Sequence, residues 1–264
     1  MGGKLVSARD DTSDETLSLD IEAEAETESE DSATYLKLSI VIPVYNEQAT
    51  IQEVVKRVMD VELPLEKEII VADDGSTDGS SELIERQRAA NADIIETYTS
   101  PMNQGKGAAI RKGFKLATGE IVLVQDADLE LDPAEYVELI QPILKGQADV
   151  VYGSRFMRNN QNIPLKTRLA NRFLTSLTNL LYRGNLTDME TGYKVIKRTV
   201  LDSLELRCVG FDIEPEVTAR ILLGGWNIHE IPVVYNPRTE DEGKKISWRD
   251  GIAAIYTLMK IKFS

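Results

Sequence analysis

The stretch Glu120-Ile121-Val122-Leu123-Val124-Gln125-Asp126-Ala127-Asp128 sets the reading of this chain. Five residues dominated by branched apolar side chains run without a break and then give way to two carboxylates two positions apart. An uninterrupted apolar run of this length predicts a strand buried on both faces, which occurs mainly in parallel sheets. Upstream the pattern repeats. Leu38–Tyr45 (LSIVIPVY) is a second such run and ends at Asn46-Glu47. Glu68–Ala72 (EIIVA) is a third and ends at Asp73-Asp74-Gly75-Ser76. Between and after these runs the apolar residues fall at helical spacing. Ile51, Val54, Val55 and Val58 predict a helix that Asn46 caps. Further helices are expected through Leu83, Ile84 and Gln87, over Ala108–Ala117 and from Pro133. Asp93–Thr97 and Val150–Tyr152 complete the strands of this half. Strands alternating with helices of this length predict an α/β fold: a mostly parallel, Rossmann-like central sheet with helices on both faces.

Downstream the pattern is less regular. A helix at roughly 165–183 carries Leu169, Phe173, Leu177, Leu180 and Leu181. Short strands are expected at Tyr193–Ile196 and Ile228–Tyr235, and a helix near Pro215–Leu223. From Trp248 an amphipathic helix bears Ile252, Ile255, Tyr256 and Met259, with Lys260 and Lys262 near its end. It either packs on the core or lies on an anionic membrane. The expected organisation is an acidic disordered tail over 1–35, one catalytic domain over 36–246 and a terminal helix over 247–264.

Charge is placed unevenly. The 264 residues carry a net charge of −14, and the first 35, with eleven acidic and two basic side chains, account for −9 of it. Such a segment buries too little apolar surface to offset its entropy. It reads as a solvated tail or a docking segment. The other residues are only mildly acidic, which argues against nucleic acid as a partner. The single cysteine, Cys208, excludes an intrachain disulfide and fits a reducing compartment. No secretory leader is read at the N-terminus, and no stretch approaches the roughly 18 consecutive apolar residues of a membrane span.

In parallel α/β sheets ligands bind beyond the carboxyl ends of the strands. Three polar clusters are expected at that edge: Asn46-Glu47, Asp73 to Ser76, and Asp126-Ala127-Asp128. Unpartnered carboxylates gathered there repel one another, so a cation is their natural partner. Asp126 and Asp128 project the same way if the segment is extended, and Glu130 continues the spacing. Hard oxygen ligands suit Mg²⁺ or Mn²⁺ bridging a diphosphate. Gly105-Lys106-Gly107 opens a helix and either receives a phosphate or is a plain turn. Arg155, just after a strand, is a candidate phosphate fork. Arg168 and Arg172 lie one helical turn apart and either share a binding face or are solvated. Arg238, Lys244 and Lys245 form a basic loop suited to closing over an anionic donor. His229, the only histidine, reads as structural, and one His with one Cys excludes a Cys/His zinc site.

Taken together, Pro43-Val44-Tyr45-Asn46-Glu47, Asp73-Asp74-Gly75-Ser76-Thr77-Asp78-Gly79, Asn103-Gln104-Gly105-Lys106-Gly107 and Asp126-Ala127-Asp128 resemble family 2 inverting glycosyltransferases of the GT-A fold. Within that family the chain is similar to the polyprenol-phosphate sugar transferases, such as dolichyl-phosphate mannose and glucose synthases. Gly153-Ser154-Arg155, Asp188 with Thr191-Gly192-Tyr193, and the Asn236-Pro237-Arg238 to Gly243-Lys244-Lys245 loop extend the match, which covers roughly 37–250. The resemblance implies that Pro43, Tyr45, Glu47, Ala72 and Asp74 bind the nucleoside. It implies that Asp126, Ala127 and Asp128 hold the diphosphate and metal with Glu130 near the ion, and that Arg155, Arg238 and Lys244 clamp donor phosphates. It further implies that Arg168 and Arg172 receive an acceptor phosphate. The expected reaction is metal-dependent transfer of a hexose, from UDP-glucose or GDP-mannose, to a polyprenyl phosphate, by a protein peripheral on the cytoplasmic face of a membrane. For a neutral sugar hydroxyl as acceptor, a carboxylate such as Asp188 becomes the base. A same-fold enzyme that extends a glycan and a non-catalytic nucleotide-sugar scaffold are the rival readings.

Overall fold

The computed structural model describes residues 1–2, 36–158, 160, 163–238 and 248–264; the tail over 3–35 and the loop bearing Lys244 and Lys245 lie outside them. Residues Tyr35–Ser264 form one compact unit. Its elements run β1 (Lys37–Val44), α1 (Ile51–Asp60), β2 (Glu66–Asp73), α2 (Ser80–Ala90), β3 (Ile95–Thr99), α3 (Lys106–Leu116) and β4 (Ile121–Val124). A short 3₁₀ turn (Pro133–Glu135) then leads into α4 (Tyr136–Leu144). The chain continues through β5 (Val150–Ser154), α5 (Leu165–Tyr182), β6 (Lys194–Lys197), α6 (Arg198–Asp202), α7 (Ile213–Leu223), β7 (Ile228–Pro232) and α8 (Trp248–Phe263).

The described strands make a seven-stranded sheet in the order β3-β2-β1-β4-β6-β5-β7. β6 runs antiparallel to both of its neighbours, and the other pairings are parallel. Successive side chains of a strand point to opposite faces, and the apolar runs split accordingly. Ile40, Ile42, Ile69, Val71 and Leu123 enter the core under α1 and α4. Val41, Ile70, Val122 and Val124 enter the core under α3, α7 and α8. Both layers are sealed, so the runs had to be continuous rather than alternating. The strands beside the central β1 end together: Val44 pairs with Asp73 in β2, and Val41 with Val124 at the last residue of β4. The segments after these three strands therefore emerge at one edge.

Four sequence expectations shift. Asn46 does not cap α1. It sits in the left-handed region (φ 51°), with its Oδ1 accepting the Thr77 amide at 2.8 Å, and the helix begins only at Ile51. The third strand starts at Ile95 rather than Asp93, because the amides of Ile94 and Ile95 turn back onto the Asn91 carbonyl. β7 stops at Pro232, before Tyr235. The apolar stripe of the fifth helix forms only part of its packed face, through Leu177 and Leu181. Leu174, Thr175, Thr178 and Tyr182 are buried, while Leu169, Phe173 and Leu180 are exposed. No helix among the described residues is long and apolar enough to cross a membrane.

Candidate active site

The site lies beyond the carboxyl ends of β1, β2 and β4. Strand β4 stops at Val124, so the extended spacing expected of Asp126, Asp128 and Glu130 gives way to a turn. Leu129 completes that turn in the left-handed region (φ 60°), a conformation that costs a non-glycine residue free energy and collects at functional sites. The strand end is pinned by Gln125, fully buried, whose Oε1 accepts from Tyr136 OH (2.7 Å) and Tyr193 OH (2.9 Å) and whose Nε2 donates to the Asp126 carbonyl. Gly192 passes so close that a Cβ there would lie 2.3 Å from Asp126 Oδ2. Any side chain at that position would displace the carboxylate.

Two cations stand at the two carboxylates. Lys106, the first residue of α3, places Nζ 2.7 Å from Asp126 Oδ1 and 3.0 Å from Glu214 Oε1 on α7. Lys194 on β6 supports Glu214 from the other side. Burial opposes the Lys106 charge, but Asp126 and Glu214 outweigh it and raise its pKa above the ordinary lysine value. Arg238 stands at Asp128: Nη2 is 3.1 Å from Asp128 Oδ2, and Nη1 is 3.0 Å from Glu47 Oε2. Its backbone amide donates to Glu130 Oε1 at 2.8 Å, and Tyr235 OH donates to Glu130 Oε2 at 2.8 Å. Burial pushes the Asp128 carboxyl up to about 7, with Asp126 and Glu130 adding to the rise and Arg238 opposing it. The surplus of negative charge is what a hard divalent cation would relieve, and the oxygen donors suit Mg²⁺ or Mn²⁺. Among the described residues no three acidic or imidazole groups already surround one point, because Lys106 and Arg238 divide the carboxylates between them. A bound diphosphate would have to complete the coordination.

A second pair lies alongside. Arg155, just past β5, forms a fork on fully buried Asp188: Nε to Oδ2 and Nη2 to Oδ1, both at 2.7 Å, with the Arg155 amide adding a third bond at 3.0 Å. Burial works against the guanidinium charge, but Asp188 outweighs it and holds the pKa above the arginine norm. The guanidinium also sits 5.2 Å from the Tyr235 ring centre, which joins this pair to Glu130. With both oxygens of Asp188 occupied in this way, its visible work is to aim Arg155.

The remaining predicted residues are placed as follows. Pro43 and Ala72 face each other across β1 and β2. Tyr45 and Glu47 follow β1, and Thr50 Oγ1 bridges Glu47 Oε2 to the Ala127 carbonyl. Asp74 accepts the Gln104 and Gly105 amides, so it holds the loop that presents Lys106. That loop needs Gly105, whose φ of 109° suits only glycine. Arg168 donates to the Asn160 carbonyl, and Asn160 in turn donates to the Arg155 carbonyl. Arg172 is exposed on α5. Sequence reasoning passed over Gln125, Lys194, Glu214, Tyr235 and Glu190. Glu190 is raised to about 7 by burial first and by Glu214 next, and its Oε1 is buried without a hydrogen-bond partner. The available signals were the Gln125 that directly precedes Asp126 and the Glu214-Pro215-Glu216 run at the start of an otherwise apolar helix.

With this geometry in view, the comparisons decide the family. The family described as glycosyl transferase family 2 matches residues 39–205, well over half the chain. The chain belongs to glycosyl transferase family 2. Among related family 2 proteins, it is 30% identical over 214 residues to glycosyltransferase AglD of Haloferax volcanii, matching 78% of this chain and 34% of that one. It is 28% identical to a dolichol-phosphate mannosyltransferase of Pyrococcus furiosus (85% and 64%) and 30% identical to a polyprenol monophosphomannose synthase of Mycolicibacterium smegmatis (75% and 77%). The chain thus spans about a third of the first relative's length and just under two thirds of the second's. In structure it resembles glucosyl-3-phosphoglycerate synthase from Mycobacterium tuberculosis, solved with Mn²⁺, uridine diphosphate and glucosyl-3-phosphoglycerate. The TM-score is 0.64 and the identity 23%, covering 86% of this chain and 80% of that one. That likeness is one of fold: the GT-A sheet expected of this family 2 chain is the sheet observed.

Proposed function

We propose that this family 2 chain transfers a hexose from a nucleotide-sugar, UDP-glucose or GDP-mannose, to a polyprenyl phosphate. The observation that carries the reading is the single strand-end edge at which Asp126 and Asp128 meet Lys106 and Arg238, with Arg155 alongside. Two of the relatives named above are polyprenol- or dolichol-phosphate sugar transferases, which supports the choice of acceptor. Pro43, Tyr45, Glu47, Ala72 and Asp74 are the candidates for the nucleoside, and Ala127, Lys106, Arg155, Arg238 and Lys244 for the diphosphate. Mg²⁺ or Mn²⁺ held by Asp126 and Asp128, with Glu130 beside them, would supply Lewis-acid neutralisation of the departing diphosphate.

A phosphate monoester, with a second pKa of about 6, is already anionic near neutral pH. Its oxygen attacks the anomeric carbon from the face opposite the leaving group. The carbon–oxygen bond to the diphosphate breaks, and its electron pair leaves with the nucleotide, so configuration inverts. No general base is required, which suits Asp188 bound on both oxygens by Arg155. Arg155 and Arg238 neutralise phosphate oxygens in the transition state. Arg168 and Arg172 on α5 are the candidates for the acceptor phosphate.

Lipid access favours a peripheral stance on the membrane, and Cys208 as the single cysteine is compatible with its cytoplasmic face. Helix α8 buries Ala254, Thr257 and Leu258 but exposes Trp248, Ile252, Tyr256 and Phe263, with Lys260 and Lys262 near its end. Helix α5 exposes Leu165, Leu169 and Phe173. Such faces suit the interfacial plane of an anionic bilayer. Ile252→Glu with Tyr256→Glu is expected to abolish flotation with anionic vesicles, while the buried face of α8 stays intact. The deciding assay screens UDP-glucose and GDP-mannose with Mn²⁺ or Mg²⁺ against a polyprenyl phosphate and an oligosaccharide, and reads out lipid-linked sugar. Product on the oligosaccharide alone, or no turnover of any donor, sinks the reading.

A further inference from the structure

Arg238 is enclosed by Glu47 and by two of the three carboxylates read as metal ligands, Asp128 and Glu130. Its guanidinium reaches Glu47 at 3.0 Å and Asp128 at 3.1 Å, and Nε lies 4.0 Å from Glu130 Oε1. The side chain is only 17% exposed, and the three carboxylates are 10–18% exposed. Nε itself is buried without a hydrogen-bond partner, so the fork fills the cage without matching it fully. Lys106 differs in its anchoring: Glu214 holds it from a second side, independently of Asp126. Arg238 lies outside any helix or strand, so its side chain can leave without moving a packed element.

We propose that Arg238 is the resident counter-ion of the metal site while no donor is bound. It neutralises Glu47, Asp128 and Glu130, lowers the affinity for a free divalent cation, and makes metal entry depend on the donor diphosphate. The incoming phosphates offer the guanidinium a better-matched anion. Its departure from Asp128 uncovers the carboxylate as the metal arrives. Coupling of this kind is reciprocal, so nucleotide tightens metal by the same factor that metal tightens nucleotide. The inference rests on the reading of Asp126 and Asp128 as metal ligands.

The test titrates the full chain with Mn²⁺ alone, following free Mn²⁺ by electron paramagnetic resonance and heat by calorimetry. Without nucleotide, Arg238→Met is expected to bind Mn²⁺ about tenfold more tightly than the wild type, since one positive charge has left a partly buried cage. Arg238→Lys keeps the charge and is expected to keep the weak affinity. Adding Asp128→Asn to Arg238→Met is expected to erase the gain. Adding UDP or GDP is expected to tighten Mn²⁺ by a larger factor in the wild type than in Arg238→Met. An Arg238→Met affinity no higher than the wild type's, or an equal gain in Arg238→Lys, overturns the counter-ion role. If neither wild type nor variant binds Mn²⁺ even with nucleotide, the metal-site reading itself fails, and this inference with it.

Discussion

Lys106 and Arg238 each answer one carboxylate of the same Asp-x-Asp pair, and they are built differently. Lys106 opens a helix packed on the sheet, and the chain Lys106–Glu214–Lys194 ties it to α7 and β6. Arg238 follows the last strand in irregular backbone and is held by Glu47, Asp128 and Glu130, all of which belong to the site. On the first side the positive charge is part of the fold. On the second it is lent to the site and available to a ligand. The difference follows from anchoring rather than burial, since the two side chains are 18% and 17% exposed: Lys106 leaves a packed helix and is also held by Glu214, whereas Arg238 leaves irregular backbone and is held only by carboxylates of the site.

The largest effect expected at this site comes from removing the carboxylates both cations serve. Asp126→Ala and Asp128→Ala should each lower the initial rate of sugar transfer by about 10³-fold at saturating Mn²⁺, the scale of losing a main electrostatic stabiliser. Full rates in either variant would leave the two cations with no shared purpose. Stability then separates the two sides. Glu214→Gln leaves buried Lys194 without its carboxylate and removes one of the two held by Lys106, and should cost about 3–5 kcal/mol in urea unfolding, the scale of a broken buried pair. Glu47→Gln on the Arg238 side should cost less, about 1–2 kcal/mol, because Asp128 and Glu130 still hold the guanidinium. Equal costs would break the comparison.

The Arg155–Asp188 pair extends the contrast to a third cation, one aimed by a buried acid rather than by the fold or by the site. Asp188→Asn should slow transfer by about 10²-fold through misplacement of Arg155, seen as a fall in kcat, and Arg155→Lys should not restore the fork. Normal turnover in Asp188→Asn would make the pair a structural brace only. The smallest effect is a control far from the site. Glu68 accepts from Ser39, Thr118 and the Gly119 amide and pairs with Lys37. Burial opposes the charge of this carboxylate, but the Lys37 contact and the hydrogen bonds prevail and lower its pKa from 4.5 to about 2. Because the folded value lies below the unfolded one, Glu68 stabilises the fold above about pH 4.5, and that contribution is lost as the pH falls from there toward 2. Glu68→Gln should flatten acid unfolding across that window, and an unchanged curve would show that its hydrogen bonds do not outweigh burial.

Strands β1, β2 and β4 were legible because a strand sealed on both faces must be apolar throughout, and no competing element of that length reads the same way. The helices over α1 and α3 were legible from spacing alone. The fifth helix was legible as an element, Leu165–Tyr182 against the expected 165–183, but its packed face was not. Leu169, Phe173 and Leu180 of its apolar stripe face outward, while its buried face carries Thr175, which accepts the Met189 amide, and Tyr182, which donates to the Leu258 carbonyl. Periodicity counts apolar residues and cannot see polar ones buried by a distant hydrogen bond. The start of β3 was missed for a local reason, the turn that Asn91 closes.

The sequence by itself determined the α/β class, the family motifs and the acidic edge, because each rests on residues close together in the chain whose local geometry follows from strand and turn chemistry. Only the tertiary structure decided who neutralises whom. Arg238 meets Asp128 across 110 positions and Glu47 across 191, and Arg155 meets Asp188 across 33. Glu214 became part of the site only because α7 packs where Lys106 ends. Charge pairing acts through space over a few ångströms, and no periodicity along the chain encodes which distant segments the sheet order will bring within that range.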